Sequence, residues 1–138
     1  MSQFIGDRIP PPLRFDLGKP APPDEIAQTI LLATVDESGA PRIAVLAGSE
    51  IAVSGDRALR IGIPTEHATC ANLIARPHAS LWCVLDGAAY TIQLNAERSG
   101  SPADGEQPFA LTAMGVWCDF RPDAPMVAGA TYRKPRVD

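Results

Sequence analysis

The segment from residue 31 to residue 85 constrains the fold of this 138-residue chain most strongly, because strand, turn and helix signals follow one another there in a fixed order. It begins with the apolar run LLATV, which is followed by the turn DESG and a second apolar stretch, PRIAV. A glycine at the end of such a turn can adopt a positive φ, so the pattern predicts a β-hairpin. A strand, a short helix and another strand then follow in ALRIGIPTEHATCANLIARPHASLWCVL. This order predicts an antiparallel meander with one inserted helix.

Strand signals cover most of the chain after residue 28, and two short helices are predicted between them. The first helix, residues 23–28, begins with prolines and acids, and the second, residues 66–75, has Thr65 as its N-cap and ends at Arg76-Pro77. Closing the meander would remove exposed sheet edges, so we predict a mainly β protein, an antiparallel barrel with one or two short helices. The predicted strands are residues 29–35, 40–47, 49–53, 58–63, 79–85, 89–94 and 109–120, with a polar loop over 98–108.

Residues 9–23 hold six of the fourteen prolines. Proline fixes φ and has no amide donor, so this stretch is predicted to be extended, with neither a helix nor a central strand. We therefore divide the chain into a Pro-rich N-terminal arm, residues 1–22, and one barrel domain, residues 23–138.

Composition excludes several classes of partner. The net charge of −4 argues against a nucleic-acid partner, which normally needs clustered Lys and Arg. The chain has no apolar run of the roughly 20 residues that a membrane span needs and no signal-peptide pattern, so we expect no membrane partner and a cytoplasmic location. The three cysteines are widely spaced and are expected to be reduced thiols. The two histidines lack a nearby acid pair, and no metal site is predicted.

Three segments together resemble the FMN-binding split-barrel superfamily, the pyridoxamine-phosphate-oxidase-like proteins. They are LLATVDESGAP, LRIGIPTEHATCANL and ARPHASLWCV, which match that family in order and spacing over about half of the chain. The resemblance implies a homodimeric split barrel that holds FMN in a groove at the subunit interface.

The resemblance also implies where the cofactor is bound. In the family, Arg, Lys and Ser side chains on the second strand and at the helix entry hold the phosphate. The corresponding cationic positions fall here near Ala44 and Ser49, and the helix-entry triplet falls on His67, Ala68 and Thr69. The residues expected to contact the ring, the ribityl chain and the phosphate are Arg42, Ala44, Val45, Ile63, Pro64, Thr65, His67, Ala68 and Thr69.

The first functional hypothesis is an FMN-dependent oxidoreductase acting on a small molecule, in which the cofactor carries the redox chemistry. The alternative is a non-catalytic dimer that binds a flavin, a deazaflavin or another small ligand, because the family's phosphate-binding cations are missing from the matched positions. A third interpretation gives the Pro-rich arm a docking role, either on another protein or on its own dimer partner. The basic stretch Tyr132-Arg133-Lys134 is a further source of charge for a phosphate.

Overall fold

The structure, a computed structural model, describes residues 2–19, 26–129 and 131–133. Its elements in chain order are β1 (Ser2–Gly6), α1 (Pro11–Asp16), β2 (Ile26–Gln28), β3 (Ile30–Val35), β4 (Pro41–Leu46), a 3₁₀ turn (Gly48–Glu50), β5 (Ile51–Val53), β6 (Ala58–Pro64), α2 (Ala68–Ala75), β7 (His78–Leu85), β8 (Ala88–Arg98), β9 (Glu106–Asp119) and β10 (Thr131–Arg133).

Eight of these strands form one antiparallel sheet, in the order β4-β3-β7-β8-β9-β6-β5, with β1 also paired to β9. The strand β9 pairs with β8 along most of its length, and β6 and β1 share its other edge. Its first half, from Glu106 to Thr112, pairs with β6, and its second half, from Val116 to Asp119, pairs with β1. The sheet therefore curls into a half-barrel, and the predicted mainly β, split-barrel architecture with two short helices is confirmed. The strands β2 and β10 form a separate two-stranded ribbon.

A β-bulge marks the point where β9 passes from one partner to the other. The register between β8 and β9 shifts between the pairs Gln93↔Gly115 and Leu94↔Ala113, which leaves Met114 as an extra residue. Such a bulge bends its strand and increases the local twist. The backbone N–H of Ala113 donates to the carbonyl of Arg57 at 2.7 Å. The Arg57 guanidinium in turn donates to the Ala113 carbonyl through Nε at 3.2 Å and Nη2 at 3.1 Å.

Side chains alternate between the two faces of the sheet. On the core face, Leu32 of β3, Leu81 of β7 and Ile92 of β8 are fully buried. Both helices contribute to this core, with Leu13 from α1 and Leu73 from α2. We call the opposite side of the sheet the outer face.

The prediction that residues 9–23 contain no helix is wrong, because Pro11–Asp16 forms α1. Prolines are tolerated in the first turn of a helix, where the amide would have no intrahelical partner in any case. Leu13 and Leu17, one helical turn apart, are both buried in the core, as is Ile9. The N-terminal residues thus pack into the barrel, and the boundary predicted between residues 22 and 23 lies outside the described residues.

The two predicted helices also need correction. Residues 26–28 form β2 instead of ending a helix, and residues 23–25 lie outside the described residues. The second helix begins at Ala68, with His67 as its N-cap residue. Thr65 is not the cap, because its amide and its hydroxyl both donate hydrogen bonds to the carbonyl of Gly105, at 3.0 and 3.3 Å, instead of interacting with the helix.

The remaining predicted strands are observed, with shifted ends. The strand predicted over 49–53 is shorter, because Gly48–Glu50 forms the 3₁₀ turn. The strands β8 and β9 extend further than predicted and shorten the polar loop between them to residues 99–105. No helix within the described ranges is both long enough and apolar enough to cross a membrane.

Replacing Arg57 by Ala should lower the free energy of unfolding by about 1–3 kcal/mol, because both guanidinium bonds to the Ala113 carbonyl at the bulge are lost. Urea denaturation measures this change. The control is Arg60→Ala on the neighbouring strand β6, where the side chain is exposed and the change should stay below about 0.5 kcal/mol. Equal stabilities of the two variants would show that Arg57 does not hold the bulge.

Candidate functional site

A groove of about 1050 Å³ lies between α2 and the hairpin formed by β3 and β4. We call it the α2 groove. The hairpin contributes Asp36, Glu37 and Arg42 to its lining, and the helix side contributes His67 and Arg76. The groove therefore brings together residues that are far apart in the sequence, and it holds both carboxylate and guanidinium groups.

The carboxylate of Asp36 organises the hairpin side of the groove. Its Oδ1 accepts hydrogen bonds from the amide and hydroxyl of Ser38, at 2.9 and 2.6 Å, and from the amide of Ala40 at 3.0 Å. Its Oδ2 accepts from Nε of Arg42 at 3.0 Å. The Ser38 hydroxyl, the Ala40 amide and the Arg42 guanidinium together hold the pKa of Asp36 well below its usual range. Asp36 is therefore ionised at neutral pH and fixed at the edge of the groove.

The guanidinium of Arg76 joins the end of α2 to the end of β3. Its Nε donates to the carbonyl of Val35 at 2.7 Å, and its Nη2 lies 3.5 Å from Oδ1 of Asn72. The buried Asn72 amide donates to the hydroxyl of Thr34 at 3.1 Å. These bonds hold α2 against the hairpin and set the width of the groove.

From the sequence alone, Arg76 is expected only to end the helix, and Asn72 has no predicted role. The signal that could have found them is the placement of Asn72 within the otherwise small or apolar helix ATCANLIA, at a position that faces the core. A buried amide needs partners, and the arginine one helical turn later is within reach of it.

The beginning of α2 lines the groove opposite the hairpin. Ala68 and Thr69 are in its first turn, and the exposed His67 precedes them. The first amides of a helix lack intrahelical acceptors and carry a partial positive charge, which favours an anion.

Four of the nine predicted site residues line the α2 groove, namely Arg42, His67, Ala68 and Thr69. The other five are placed elsewhere. Ala44 is partly buried against the core, and Val45 points to the outer face. Ile63 is buried in the core, and Pro64 and Thr65 form the exposed end of β6 and the turn after it.

A second cavity, of about 560 Å³, lies at the β4-β3-β7-β8 part of the sheet. We call it the outer-face cavity. Polar side chains from β7 and β8 line it, together with apolar residues such as Val35 and Met114. The polar residues are His78, Ser80, Gln93 and Asn95. Pro41 lines both this cavity and the α2 groove, so the two lie next to each other at the beginning of β4.

An apolar row crosses the outer face next to this cavity. Strand pairing aligns one residue from each of six strands, and most of these residues are large and apolar. Val45 is 67% exposed and Phe4 57%, although Phe4 packs edge-to-face on Trp117 with ring centroids 5.1 Å apart. The aligned residues are Val45, Leu31, Trp82, Thr91, Trp117 and Phe4.

The cysteines are not placed for nucleophilic chemistry. Burial raises the pKa of the Cys70 thiol and raises the pKa of Cys83 to about 12. A thiol that stays protonated is a poor nucleophile. Cys118 is half-buried and, like the other two, forms no disulfide. Within the part of the chain that the structure describes, no three His, Cys, Asp or Glu side chains are grouped so as to hold a metal ion.

No protein-family model matches the sequence, and no curated protein is similar to it in sequence. Solved structures are similar to it in fold. An F420 reductase is 17% identical, with a TM-score of 0.58 over 78% of this chain and 98% of the reductase. An FMN-binding protein from Syntrophomonas wolfei is 13% identical, with a TM-score of 0.55 over 67% of this chain and 77% of that protein. The heme storage protein HutZ from Vibrio cholerae is 16% identical, with a TM-score of 0.52 over 64% of this chain and 84% of HutZ.

The Asp36 carboxylate should make stability depend on pH. Because its pKa is lower in the folded than in the unfolded chain, its contribution is complete at neutral pH and is lost as the pH falls from about 4 toward the native value. Asp36→Asn should therefore be less stable than the wild type at pH 7, with a smaller difference at pH 3. Urea denaturation at both pH values measures this, and Glu37→Gln is the neighbouring control. A difference that does not change with pH would contradict the assignment.

Proposed function

The chain has the split-barrel fold of the pyridoxamine-phosphate-oxidase-like proteins, and on that premise we propose that it is a homodimeric oxidoreductase that uses a flavin-type cofactor. The observation that carries the proposal is that the two cavities lie next to each other, on either side of Pro41. The lining of one cavity holds carboxylate and guanidinium groups, and the lining of the other holds amide, hydroxyl, imidazole and apolar groups. A flavin mononucleotide has the same division, with a phosphate at one end and a planar ring with neutral hydrogen-bonding edges at the other.

The residues of the α2 groove fit the phosphate end. Asp36 engages only Nε of Arg42, whose side chain is 68% exposed, so the terminal amino groups of this guanidinium are accessible to a ligand. Arg76 and the first turn of α2 add positive charge from the other wall. Arg42 and Arg76 thus supply cations that the matched positions Ala44 and Ser49 do not.

The outer-face cavity fits the ring. The side chains of Ser80, Gln93 and Asn95 offer neutral donors and acceptors for the edge of a heteroaromatic ring, and Val35 and Met114 offer apolar contacts. When bound, a flavin supplies hydride or electron transfer itself. The residues of this chain orient it and exclude water, which agrees with the absence of a reactive thiol from the described part of the site.

The apolar row explains why we propose a dimer. Large apolar side chains that are exposed on one sheet face are typical of an interaction surface, and Ile43, Val45 and Phe4 are exposed on this one. A second copy packed on this face would cover Val45, Ile43 and Phe4 and would close the outer-face cavity, which lies beside them.

One observation favours the alternative, a binding protein without turnover. The Asp36 carboxylate partly neutralises Arg42, which weakens the groove as a site for a doubly charged phosphate. A binding protein of this kind would retain a bound flavin without oxidising NADH or NADPH, so spectra and turnover separate the two functions.

Arg42→Ala should weaken FMN binding at least about tenfold, because a charge-assisted hydrogen bond to the phosphate is worth roughly 1.5–3 kcal/mol. Flavin fluorescence quenching measures the dissociation constant. Arg60→Ala, which removes an exposed arginine outside the groove, should leave binding unchanged. If the wild-type protein binds no flavin, the proposed function is wrong. If it binds heme instead, a storage function like that named for HutZ takes its place.

Val45→Arg should convert the proposed dimer into a monomer, because it places a charge at the most exposed residue of the apolar row. Light scattering coupled to size-exclusion chromatography gives the mass. The control is Ala52→Arg, an exposed position on the edge strand β5. A wild-type protein that is already monomeric at high micromolar concentration would overturn the dimer.

A further inference from the structure

The charges that line the α2 groove balance one another. Two carboxylates, of Asp36 and Glu37, face two guanidinium groups, of Arg42 and Arg76, and His67 is the one other titratable side chain in the described lining. The two carboxylates and the two guanidinium groups together carry a net charge of zero. The amides at the beginning of α2 add only about half of a positive charge.

The charges nearest the hairpin cannot easily rearrange to favour an anion. Asp36 accepts four hydrogen bonds, three of them from Ser38 and Ala40 in its own turn, so its carboxylate is part of the hairpin structure. Arg42 can contact a ligand without breaking its bond to Asp36, but the carboxylate stays beside it. A ligand that binds Arg42 therefore also lies near a fixed negative charge.

The guanidinium of Arg76 is also held in place by hydrogen bonds within the protein. Arg76 donates through Nε to the carbonyl of Val35 and through Nη2 to Oδ1 of Asn72. Of its three guanidinium nitrogens, only Nη1 takes no part in these two bonds. Turning the guanidinium toward a ligand would remove the donor from the Val35 carbonyl and loosen α2. The groove thus offers accessible donors but little net positive charge.

We propose that the α2 groove selects a singly charged phosphodiester over a doubly charged phosphate monoester. This inference rests on the proposed function and names the chemical class of cofactor that the site takes. A flavin-type ligand whose phosphate is esterified twice would keep the hydrogen bonds to Arg42 and to the beginning of α2. It would also avoid placing a second negative charge beside Asp36 and Glu37.

Three probes with one ring system test the proposal. Riboflavin is uncharged at its side chain, the methyl ester of FMN carries one phosphate charge, and FMN carries nearly two at pH 8, since the second pKa of a phosphate monoester is about 6. Dissociation constants are measured by fluorescence quenching with the full chain at pH 8. We expect the methyl ester to bind at least fivefold more tightly than FMN, and more tightly than riboflavin.

Lowering the pH to 5.5 converts most FMN to the singly charged form. The dissociation constant of FMN should then be less than twofold higher than that of the methyl ester. Any proton that a groove residue takes up over the same range would affect both phosphate ligands, so the ratio of the two dissociation constants is the relevant quantity. The charged groups that face the ligand are those of Asp36, Glu37, Arg42 and Arg76, and His67 also lines the groove.

Asp36→Asn and Glu37→Gln should each shift the preference at pH 8 toward FMN, whereas Glu97→Gln, an exposed acid on β8 outside the groove, should not. If Asp36→Asn does not fold, Glu37→Gln and the wild-type ratios still decide the question. FMN binding as tightly as its methyl ester to the wild-type protein at pH 8 would overturn the inference and leave the proposed function intact. If none of the three probes binds, the proposed function fails and the inference fails with it.

Discussion

The arrangement of the whole sheet depends on the backbone of β9 at Ala113. At this residue the strand stops pairing with β6 and the bulge redirects it to pair with β1. The carbonyl of Ala113 would have no ladder partner at such a junction, and the Arg57 guanidinium satisfies it with two hydrogen bonds. An unsatisfied backbone group at a partly buried junction is unfavourable, so the curl of the half-barrel is stabilised by one side chain as well as by core packing.

The curl in turn places α2 against the core side of β3, where a flat sheet would leave the helix without a partner. Asn72 and Arg76 then fasten the helix to Thr34 and Val35, and the same hairpin carries Asp36 and Arg42. The candidate site is therefore not a loop added to the barrel. Its two walls are parts of the fold, and its charges also serve as structural hydrogen-bonding groups. That double use is the physical reason why the groove contains arginines and yet has little positive charge to offer.

Much of this fold could be predicted from the sequence, because the strands have clear apolar patterns and their turns carry glycine at positions that need a positive φ, as at Gly39 and Gly87. The helix α1 could not, since three consecutive prolines suggest an extended chain. Only burial of Leu13 and Leu17 against the barrel selects the helical conformation. Local signals also misplaced the cap of α2, because the partner of Thr65 is Gly105, a residue distant in the sequence.

The candidate site was predicted less completely than the fold. The hairpin and helix entry led to Arg42, His67, Ala68 and Thr69, all of which line the groove. Arg76 and Asn72 were missed because their roles depend on contacts across the barrel to β3. The outer-face cavity depends on strand order, which places β7 between β3 and β8, and this order is not visible in any single segment.

The pairing of β1 with β9 has a consequence for how the chain reaches this structure. The partner of Ser2 is Asp119, so the first strand cannot enter the sheet until the residues as far as Asp119 are available. During synthesis, Phe4 and Ile5 remain without their strand partner while the hairpins that follow can already form. Contacts so distant in sequence slow folding, and we expect the sheet to be completed in milliseconds to seconds, with the N-terminus among the last parts to join.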